Sequence, residues 1–211
     1  MVFLIPVWND VLTLPEVVRG ALVFGPVWVV DDGSTDGSGA AAAAAGARLL
    51  TRPHLGKGAA LRHGLSTLGA LGETHALTLD ADGQHLTSDI PRFIEASRRH
   101  PTSLVLGVRP TGLGPIRSRL GRRVSNTLVA HHTGRVVADS QCGMRVYPLE
   151  HQDRWMSPSN GYEFELDILL RYAASGRERW TEVPCGVRYP GPARLGWRAA
   201  AAILKRGLWP G

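Results

Sequence analysis

The feature of this sequence that most constrains its fold is a regular alternation of short apolar runs with longer segments of helical pattern. The apolar runs are too short and too continuous for surface helices, and they are typical of strands buried on both faces of a sheet. They are VFLIPV, VWVVD, ARLLTR, HALTLD and SLVLG. Helices are predicted between them over residues 15–23, 36–46, 57–71 and 89–100. This order predicts an α/β fold in which helices cover both faces of a mostly parallel central sheet.

The second half of the chain is less regular, but the same kinds of element continue. We predict a helix over 118–131, a strand in QCGMRVYP, a helix over 162–175 and a last strand in RWTEVP. No linker or repeat divides the 211 residues, so we expect one domain over residues 1–190. Residues 191–211 are rich in basic and aromatic side chains and are expected to form a helix or tail.

Composition narrows the class of partner. The chain carries 24 Lys and Arg against 18 Asp and Glu, a formal net charge of +6, which favours phosphorylated ligands, anionic lipid or other polyanions. Because 44% of the residues are hydrophobic, the chain can bury a core, and global disorder is excluded as a description.

The cysteine count and the start of the chain point to a cellular compartment. Cys142 and Cys185 are 43 positions apart, which indicates neither a disulfide framework nor a zinc cluster. His131 and His132 lack the spacing of a zinc site. Met1 leads directly into the first strand without a basic leader, and no stretch approaches the roughly 20 apolar residues of a membrane span. We therefore expect a cytoplasmic protein without a transmembrane anchor of its own.

Acidic residues follow the predicted strands, where ligands of such sheets usually bind. Asp80 and Asp82 in LDADGQH lie at alternate positions, so in an extended chain both side chains point the same way, and Gln84 continues the series. Hard oxygen ligands of this kind suit Mg²⁺ or Mn²⁺. A cation would remove a repulsion of about 4 kcal/mol between carboxylates about 4 Å apart. The alternative is a polar turn in which Asp80 or Asp82 caps a local amide.

Two further segments suggest a ligand at the same edge. In VVDDGSTDGS, Asp31 or Asp32 is placed to accept from a nucleobase or a ribose hydroxyl, although a plain turn with Asp36 as helix cap explains much of the segment. RPHLGKGAALRHG lacks the first glycine and the hydroxyl of a P-loop. It presents Lys57 at a helix start, which favours an anionic ligand, or it forms a simple turn before an amphipathic helix.

The three segments together offer nucleoside acceptors, a basic loop and a metal cluster beyond successive strand ends. Such a set suits a nucleoside diphosphate that carries a metal on its pyrophosphate. Seven motifs occur in the order and at the spacing of the family 2 glycosyltransferases, which the chain resembles over roughly residues 2–190, most closely in the dolichol-phosphate mannose synthase-like branch. The motifs are IPVWND, VVDDGSTDGS, GKGAALRHG, LDADGQH, LGVR, DSQCGMRVY and GYEFELDILLR.

The resemblance implies a GT-A fold with a Rossmann-like mixed sheet. It also implies inverting transfer of a sugar from a nucleoside-diphosphate sugar, with GDP or UDP as the nucleotide, to dolichyl or undecaprenyl phosphate. The site residues take their roles from the same resemblance. The nucleoside pocket would contain Pro6, Trp8, Asp10 and Asp32; Asp80, Asp82 and Gln84 would hold Mg²⁺ or Mn²⁺, with Asp80 also in contact with the donor; and Arg109 with Arg119 or Arg123 would meet the phosphates. Asp82 and these arginines are predicted as catalytic residues, and Lys57, from its place at a helix start, is predicted to contact the donor.

The acceptor decides whether the enzyme needs a base. A lipid phosphate oxygen is already ionised, whereas a hydroxyl acceptor needs a general base. The candidates are Glu163, Glu165 and Asp167, of which Glu165 falls near the catalytic carboxylate of hydroxyl-glycosylating relatives. Alternatively these acids form a solvated helix start. Trp8 and Asp10 replace the family's commoner Tyr and Glu, and PARLGWR stands where the branch often has Ser-His-Phe, a departure that bears on the acceptor.

Three alternatives to a lipid-phosphate transferase stay open. One transfers sugar to a saccharide or protein hydroxyl with Glu165 as base, one is a catalytically silent nucleotide-sugar-binding module, and one is a nucleotidyltransferase that releases pyrophosphate. No nucleic acid partner is expected. The tail would lie on anionic lipid at the inner face of the membrane, or pack as an ordinary terminal helix. Its basic and aromatic residues are Arg194, Trp197, Arg198, Lys205, Arg206 and Trp209.

Overall fold

The computed structural model describes residues 1–111, 116–176 and 180–188, except for the side chains of 116–118. The predicted tail over 191–211 and the PARLGWR segment lie outside the described residues, so the expectation of membrane-surface contact stays a prediction.

Seven strands of the described part form one sheet in the order β3-β2-β1-β4-β6-β5-β7. Parallel pairs join β1 to β2 and β4, β2 to β3, and β5 to β7, whereas β6 runs antiparallel to both β4 and β5. The predicted α/β fold with a mostly parallel, mixed sheet is confirmed. The strands are β1 (Val2–Val7), β2 (Val27–Asp31), β3 (Arg48–Thr51), β4 (His75–Thr78), β5 (Leu104–Val108), β6 (Arg145–Pro148) and β7 (Trp180–Pro184).

Every predicted helix is present, and its ends lie within two residues of the prediction. Pro91 lies in the first turn of the fourth helix, and the side chain of Asp89 does not cap that helix. It accepts instead from the Gly186 amide at 2.6 Å and pairs with Arg92 at 3.1 Å. The helices are α1 (Leu14–Leu22), α2 (Ser38–Ala44), α3 (Lys57–Ala70), α4 (Ile90–Arg99), α5 (Ile116–Thr133) and α6 (Phe164–Ala174), with 3₁₀ turns at Thr87–Asp89 and Gln152–Arg154.

The hydrophobic core has two layers, one on each face of the sheet. Successive residues of β1 alternate between them: Leu4 packs with Leu65 of α3 and Phe164 of α6, whereas Ile5 packs with Val18 of α1 and Phe93 of α4. This alternation is the two-residue period of an extended strand. It explains why the inner strands are continuous apolar runs, since both of their sides are covered, whereas β3 and β7 at the two ends of the sheet are partly exposed.

The sheet brings its functional segments to one edge. The carboxyl ends of the six strands other than β6 point toward this edge, and β6, which runs the other way, brings its amino end there. We call this the strand-end edge. The described helices include none that is long and apolar enough to cross a membrane.

Candidate active site

A lysine at the start of α3 links two carboxylates at the strand-end edge. Lys57 Nζ lies 2.7 Å from Oδ1 of Asp80, just after β4, and 3.2 Å from Oε1 of Glu165 in α6. The Lys57 and Glu165 side chains are 18% and 7% exposed. Burial alone would lower the pKa of Lys57, but the two carboxylates outweigh it and raise that pKa above its ordinary value. Lys57 is therefore a permanent cation at the centre of the site.

Glycines bring α3 close enough for this contact. Gly56 has φ +111°, and a Cβ added there would lie 2.6 Å from the Asn160 carbonyl oxygen. A Cβ on Gly58 would lie 2.6 Å from Cβ of Phe164 and 2.7 Å from the Gly161 carbonyl oxygen. Real side chains do not fit at such distances. The GKG sequence is thus a close-packing motif rather than a simple turn, and it places Lys57 directly against the start of α6.

The acidic segment after β4 forms a turn in which two carboxylates interact. Strand β4 ends at Thr78, and the Gln84 amide donates to Asp82 Oδ1 at 3.0 Å. Burial and the neighbouring charge of Asp80 raise the pKa of Asp82. The turn predicted as the alternative to a metal cluster is therefore present, yet it leaves Asp82 destabilised by Asp80, as expected of carboxylates that share a cation.

Asp80 is held more tightly than Asp82. Its Oδ2 lies 3.2 Å from Nε2 of His85, and its Oδ1 meets Lys57. Burial opposes ionisation, but Lys57 and His85 outweigh it and lower the pKa of Asp80 far below its ordinary value. Gly143, just before β6, makes room for this carboxylate, because a Cβ there would lie 2.6 Å from Oδ1. The carboxylates of Asp80 and Asp82 fit a hard divalent cation in chemistry and charge, and Gln84 lies half-buried in the same turn.

Asp32 organises the loop that leads into α3. Its carboxylate accepts from the Gly56 amide at 2.7 Å and pairs with His54 at 2.8 Å and Arg52 at 3.2 Å. The Leu55 amide lies 3.2 Å from both oxygens. A nucleoside that binds Asp32 would have to share the Asp32 carboxylate with these donors. The role of Asp32 in the nucleoside pocket therefore stays a prediction. Asp31, the other candidate acceptor, accepts a hydrogen bond from the Ser34 amide at 2.8 Å.

The loops after β1 and β2 are joined by side-chain hydrogen bonds. Asn9 Oδ1 accepts from the Thr35 amide at 2.8 Å, and the Asp10 amide donates to Ser38 Oγ at 2.9 Å. Trp8 is 51% exposed and stacks on His54 with ring centroids 4.3 Å apart. Pro6 is buried inside β1. Trp8 therefore presents an aromatic face at the strand-end edge, where a planar base could stack.

Arg109 and Arg122 share one buried carboxylate. Arg109 reaches the fully buried Asp139 through Nε at 2.7 Å and Nη2 at 3.0 Å. Arg122 of α5 also pairs with Asp139, at 3.3 Å. Arg119 and Arg123, one of which is predicted to meet the phosphates with Arg109, are half-buried and exposed respectively, and that role stays a prediction. The face of α5 that meets Asp139 carries Arg122.

Among the three candidate bases, Glu165 is the one with a described ion pair to Lys57. Glu163 accepts from the Gly161 amide at 3.1 Å, and Asp167 accepts from Ser157 at 2.6 Å and from Arg171 at 2.9 Å. Glu165 faces Lys57. These acids do not form the solvated helix start that was considered, because Glu165 and Asp167 are buried.

Sequence reasoning missed three residues that build this edge. Arg145 is fully buried and donates to the carbonyl oxygens of Cys142, Glu165 and Ser140. Asp139 and His85 are likewise buried and bonded to site residues. An arginine inside the apolar strand sequence MRVYP was the one available signal, because a buried guanidinium needs several acceptors.

The fold and this edge define the chain as a glycosyltransferase of the GT-A class. Its sheet is similar to that of glucosyl-3-phosphoglycerate synthase from Mycobacterium tuberculosis in complex with UDP, with a TM-score of 0.78 and 22% identity over 100% of this chain and 80% of that one. A crystal of the same neighbour with Mn²⁺, UDP-glucose and phosphoglyceric acid gives a TM-score of 0.75. At this identity the likeness shows the fold.

The chain belongs to glycosyl transferase family 2, whose profile matches residues 2–152. Polyprenol monophosphomannose synthase from Mycolicibacterium smegmatis is 30% identical over 82% of this chain and 72% of that protein. Glycosyltransferase AglJ from Haloferax volcanii is 27% identical over 90% of this chain and 63% of its own length. An undecaprenyl-phosphate 4-deoxy-4-formamido-L-arabinose transferase from Sodalis glossinidius is 31% identical over 68% and 47%. The chain thus spans less than two thirds of the last two relatives.

Proposed function

We propose that this glycosyltransferase moves a sugar, with inversion, from a nucleoside-diphosphate sugar to a polyprenyl phosphate, in a reaction that depends on Mg²⁺ or Mn²⁺. The names of two relatives, a polyprenol monophosphomannose synthase and an undecaprenyl-phosphate transferase, support this acceptor class. The basic net charge of +6 suits phosphorylated substrates.

The observation that carries the choice of acceptor is the ion pair between Lys57 and Glu165. A general base must accept a proton from the incoming hydroxyl within hydrogen-bond distance. Oε1 of Glu165 already faces the Lys57 ammonium at 3.2 Å, and its carboxylate is buried. Glu165 is thus arranged to hold Lys57 in position. An acceptor that arrives ionised, such as a phosphate monoester, needs no proton removed.

The reaction places negative charge on the diphosphate as it leaves the sugar. The bond between the anomeric carbon and the diphosphate oxygen breaks, its electron pair stays on the diphosphate, and the acceptor phosphate oxygen bonds to the opposite face of the anomeric carbon. Lys57 and Arg109 supply positive charge at the edge where the diphosphate would lie, which stabilises the leaving group. A divalent cation held by Asp80, Asp82 and Gln84 would supply further Lewis-acid stabilisation there.

The test is an acceptor panel with matched lipids. Radiolabelled GDP-mannose and UDP-glucose are incubated with Mn²⁺ and either undecaprenyl phosphate or undecaprenol, and label in the organic phase is counted. We expect transfer to the phosphate lipid and release of nucleoside diphosphate. Label on undecaprenol or on a saccharide hydroxyl would favour the alternative with Glu165 as base, and pyrophosphate release would indicate a nucleotidyltransferase. Donor binding without transfer to any acceptor would indicate a silent binding module.

Glu165→Gln separates the two transferase mechanisms. If the acceptor is a phosphate, this variant keeps more than about a tenth of the wild-type kcat, because no proton transfer is lost. Loss of a general base instead costs about 10²- to 10⁴-fold. Glu163→Gln is the matched control, since Glu163 lies two positions away and contacts only its own loop in the described hydrogen bonds. A kcat below a hundredth of wild type with donor affinity intact would contradict the proposed role of Glu165.

A further inference from the structure

A cluster of soft ligand atoms lies beside the site. A ring nitrogen of His85 and the sulfur atoms of Cys142 and Cys185 all lie within 4.8 Å of one another, and all three residues are buried. The topology explains how residues far apart in sequence meet. His85 follows β4, Cys142 precedes the antiparallel β6 and Cys185 follows β7, so all three segments reach the strand-end edge.

The separation of the two sulfurs matches a tetrahedral cation. Cys142 Sγ and Cys185 Sγ lie 3.8 Å apart. Two thiolates bound at about 2.3 Å on a tetrahedral zinc ion are separated by about 3.8 Å. A disulfide needs the sulfurs at about 2.05 Å. The sulfurs are thus placed as zinc ligands are, whereas a covalent bond would need them to approach much more closely.

The histidine is oriented as a metal-bound histidine usually is. Nε2 of His85 lies 3.2 Å from Asp80 Oδ2, while Nδ1 is buried without a hydrogen-bond partner among the described residues. Metal-bound histidines commonly donate their second ring N–H to a carboxylate, which fixes the ring and its tautomer. A buried nitrogen without a partner is costly, and a cation bound by Nδ1 would satisfy it.

The backbone leaves room for the sulfurs. A Cβ on Gly107 of β5 would lie 2.7 Å from Cys142 Sγ and 3.1 Å from Cys185 Sγ. Only a glycine at this position lets both thiols sit side by side against the sheet. The hydrogen bond with Cys185 and burial raise the pKa of the Cys142 thiol well above its ordinary value, so this sulfur keeps its proton until a cation replaces it.

We propose that His85, Cys142 and Cys185 form a binding site for one thiophilic divalent cation, of which Zn²⁺ is the type. Binding exchanges the two thiol protons and the proton on the metal-binding nitrogen of His85, which pass to solvent, for two sulfur–metal bonds and one nitrogen–metal bond. These three ligands leave a fourth coordination position for water or another oxygen. Its ligands are different from the carboxylates of Asp80 and Asp82, although the His85–Asp80 contact joins the two sites, and it does not depend on the acceptor proposed above. The number of cysteines in the sequence does not predict this site, because its third ligand is a histidine.

The test uses Co²⁺ as a spectroscopic probe on the full chain. Protein stripped with a chelator and kept reduced without oxygen is titrated with Co²⁺ in the presence of excess Mg²⁺, which competes with Co²⁺ for oxygen ligands. We expect a near-ultraviolet thiolate-to-cobalt charge-transfer band and visible bands of tetrahedral intensity that saturate at one Co²⁺ per chain. Added Zn²⁺ should abolish these bands by displacement.

Variants assign the ligands. Cys142→Ala and Cys185→Ala should each weaken Co²⁺ binding by more than about 100-fold, since changing a residue that merely orients a ligand already costs about 10- to 100-fold. His85→Gln keeps a donor for Asp80 but lacks the Nδ1 ligand, and we expect a loss of at least about tenfold. His63→Asn changes an exposed histidine on α3 and should bind as wild type. Asp82→Asn should keep the charge-transfer band.

Two results would overturn the inference. The wild-type spectrum decides it even if a cysteine variant fails to fold, because octahedral Co²⁺ without a charge-transfer band shows that the sulfurs are not ligands. An intramolecular disulfide found by mass spectrometry after air exposure, in protein that binds no Co²⁺ when reduced, would show that the thiols are a redox pair instead.

Discussion

Asp82 is a residue whose charge lowers the stability of the fold. Asp80 pairs directly with Lys57 and His85, whereas Asp82 is described with only the Gln84 amide as hydrogen-bond donor. Because burial and Asp80 raise its pKa, Asp82 destabilises the folded state once pH rises above the ordinary carboxyl pKa. The structure retains a carboxylate where an amide would cost less, and this is the expected signature of a cation ligand.

Asp82→Asn should therefore separate binding from stability. At pH 7 we expect the free energy of unfolding without metal to stay equal or rise, since the substitution removes a repulsion. We expect the affinity for Mn²⁺ in the presence of a nucleotide sugar to fall by at least about tenfold. Urea unfolding and manganese titration measure the two effects. Asp153→Asn, on the exposed 3₁₀ turn, is the control and should change neither. A variant that is less stable but binds Mn²⁺ normally would show that Asp82 serves the turn alone.

Individual side chains show where sequence reasoning stops. Asp80, Asp82 and Lys57 were identified because they follow strands or open a helix, and the structure brings Lys57 and Asp80 within 2.7 Å. The partners of Asp32 could not be predicted, because they come from the next loop. The pairing of Arg122 with Asp139 depends on the rotation of α5 about its axis, which an arginine-rich segment does not define.

Asp139 joins three elements at the strand-end edge. It binds Arg109 at the end of β5 and Arg122 in α5, and it accepts from the Gln141 amide at 3.2 Å before β6. Burial opposes its ionisation, but Arg109 and Arg122 outweigh burial and lower the pKa of Asp139. A depressed carboxyl pKa contributes stability that is present above the unfolded-state pKa of about 3.9 and is lost as pH falls through the folded-state value.

We expect Asp139→Asn to destabilise the protein by about 3–5 kcal/mol at pH 7, because it leaves two arginines with reduced compensation around a buried position. The difference from wild type should shrink as pH falls from 5 to 3, and urea unfolding across this range measures it. Glu95→Gln breaks the exposed pair between Glu95 and Arg99 and should cost less than about 0.5 kcal/mol at every pH. A constant difference at all pH values would mean that packing, and not charge, makes Asp139 important.

The elements themselves were predictable, but the direction of one was not. Apolar runs and helix starts identify all seven strands and six helices of the described chain, since each element is buried on both faces or along one stripe. A strand pattern in QCGMRVYP carries no information on whether β6 runs parallel or antiparallel. That direction matters, because it carries Gly143 to Asp80 and Cys142 to Cys185.

Across the whole molecule, the strand-end edge gathers loops from all of the strands, so a ligand there contacts segments from both halves of the sheet. A ligand that binds only the folded state stabilises it by mass action, by about 2.7 kcal/mol at 100 times its Kd. For a chain of this size that corresponds to a rise in Tm of about 5–10 °C. With Mn²⁺ present, we expect one of GDP-, UDP- or dTDP-sugars to produce such a rise.

Thermal denaturation of the full chain with each nucleotide sugar, with and without Mn²⁺, measures this effect. The matched control is Asp82→Asn, in which the Mn²⁺-dependent part of the rise should disappear. Equal shifts for all three nucleotides would show that the diphosphate is bound without selection of the base, and no shift at any concentration would contradict a nucleotide-sugar site.

The Lys57 pair has a consequence for how the site fills. The Lys57 ammonium lies 2.7 Å from Asp80, and its positive charge cancels most of the attraction of this carboxylate for a cation. A divalent cation without a ligand of its own therefore binds there with little gain in free energy. When the cation arrives bound to a diphosphate, the diphosphate supplies negative charge. The Lys57 ammonium can then pair with the diphosphate in place of Asp80, and Asp80 can bind the cation. Substrate binding is then an exchange of ion pairs at Asp80 and Lys57. The metal and the sugar nucleotide should each bind weakly alone and strongly together.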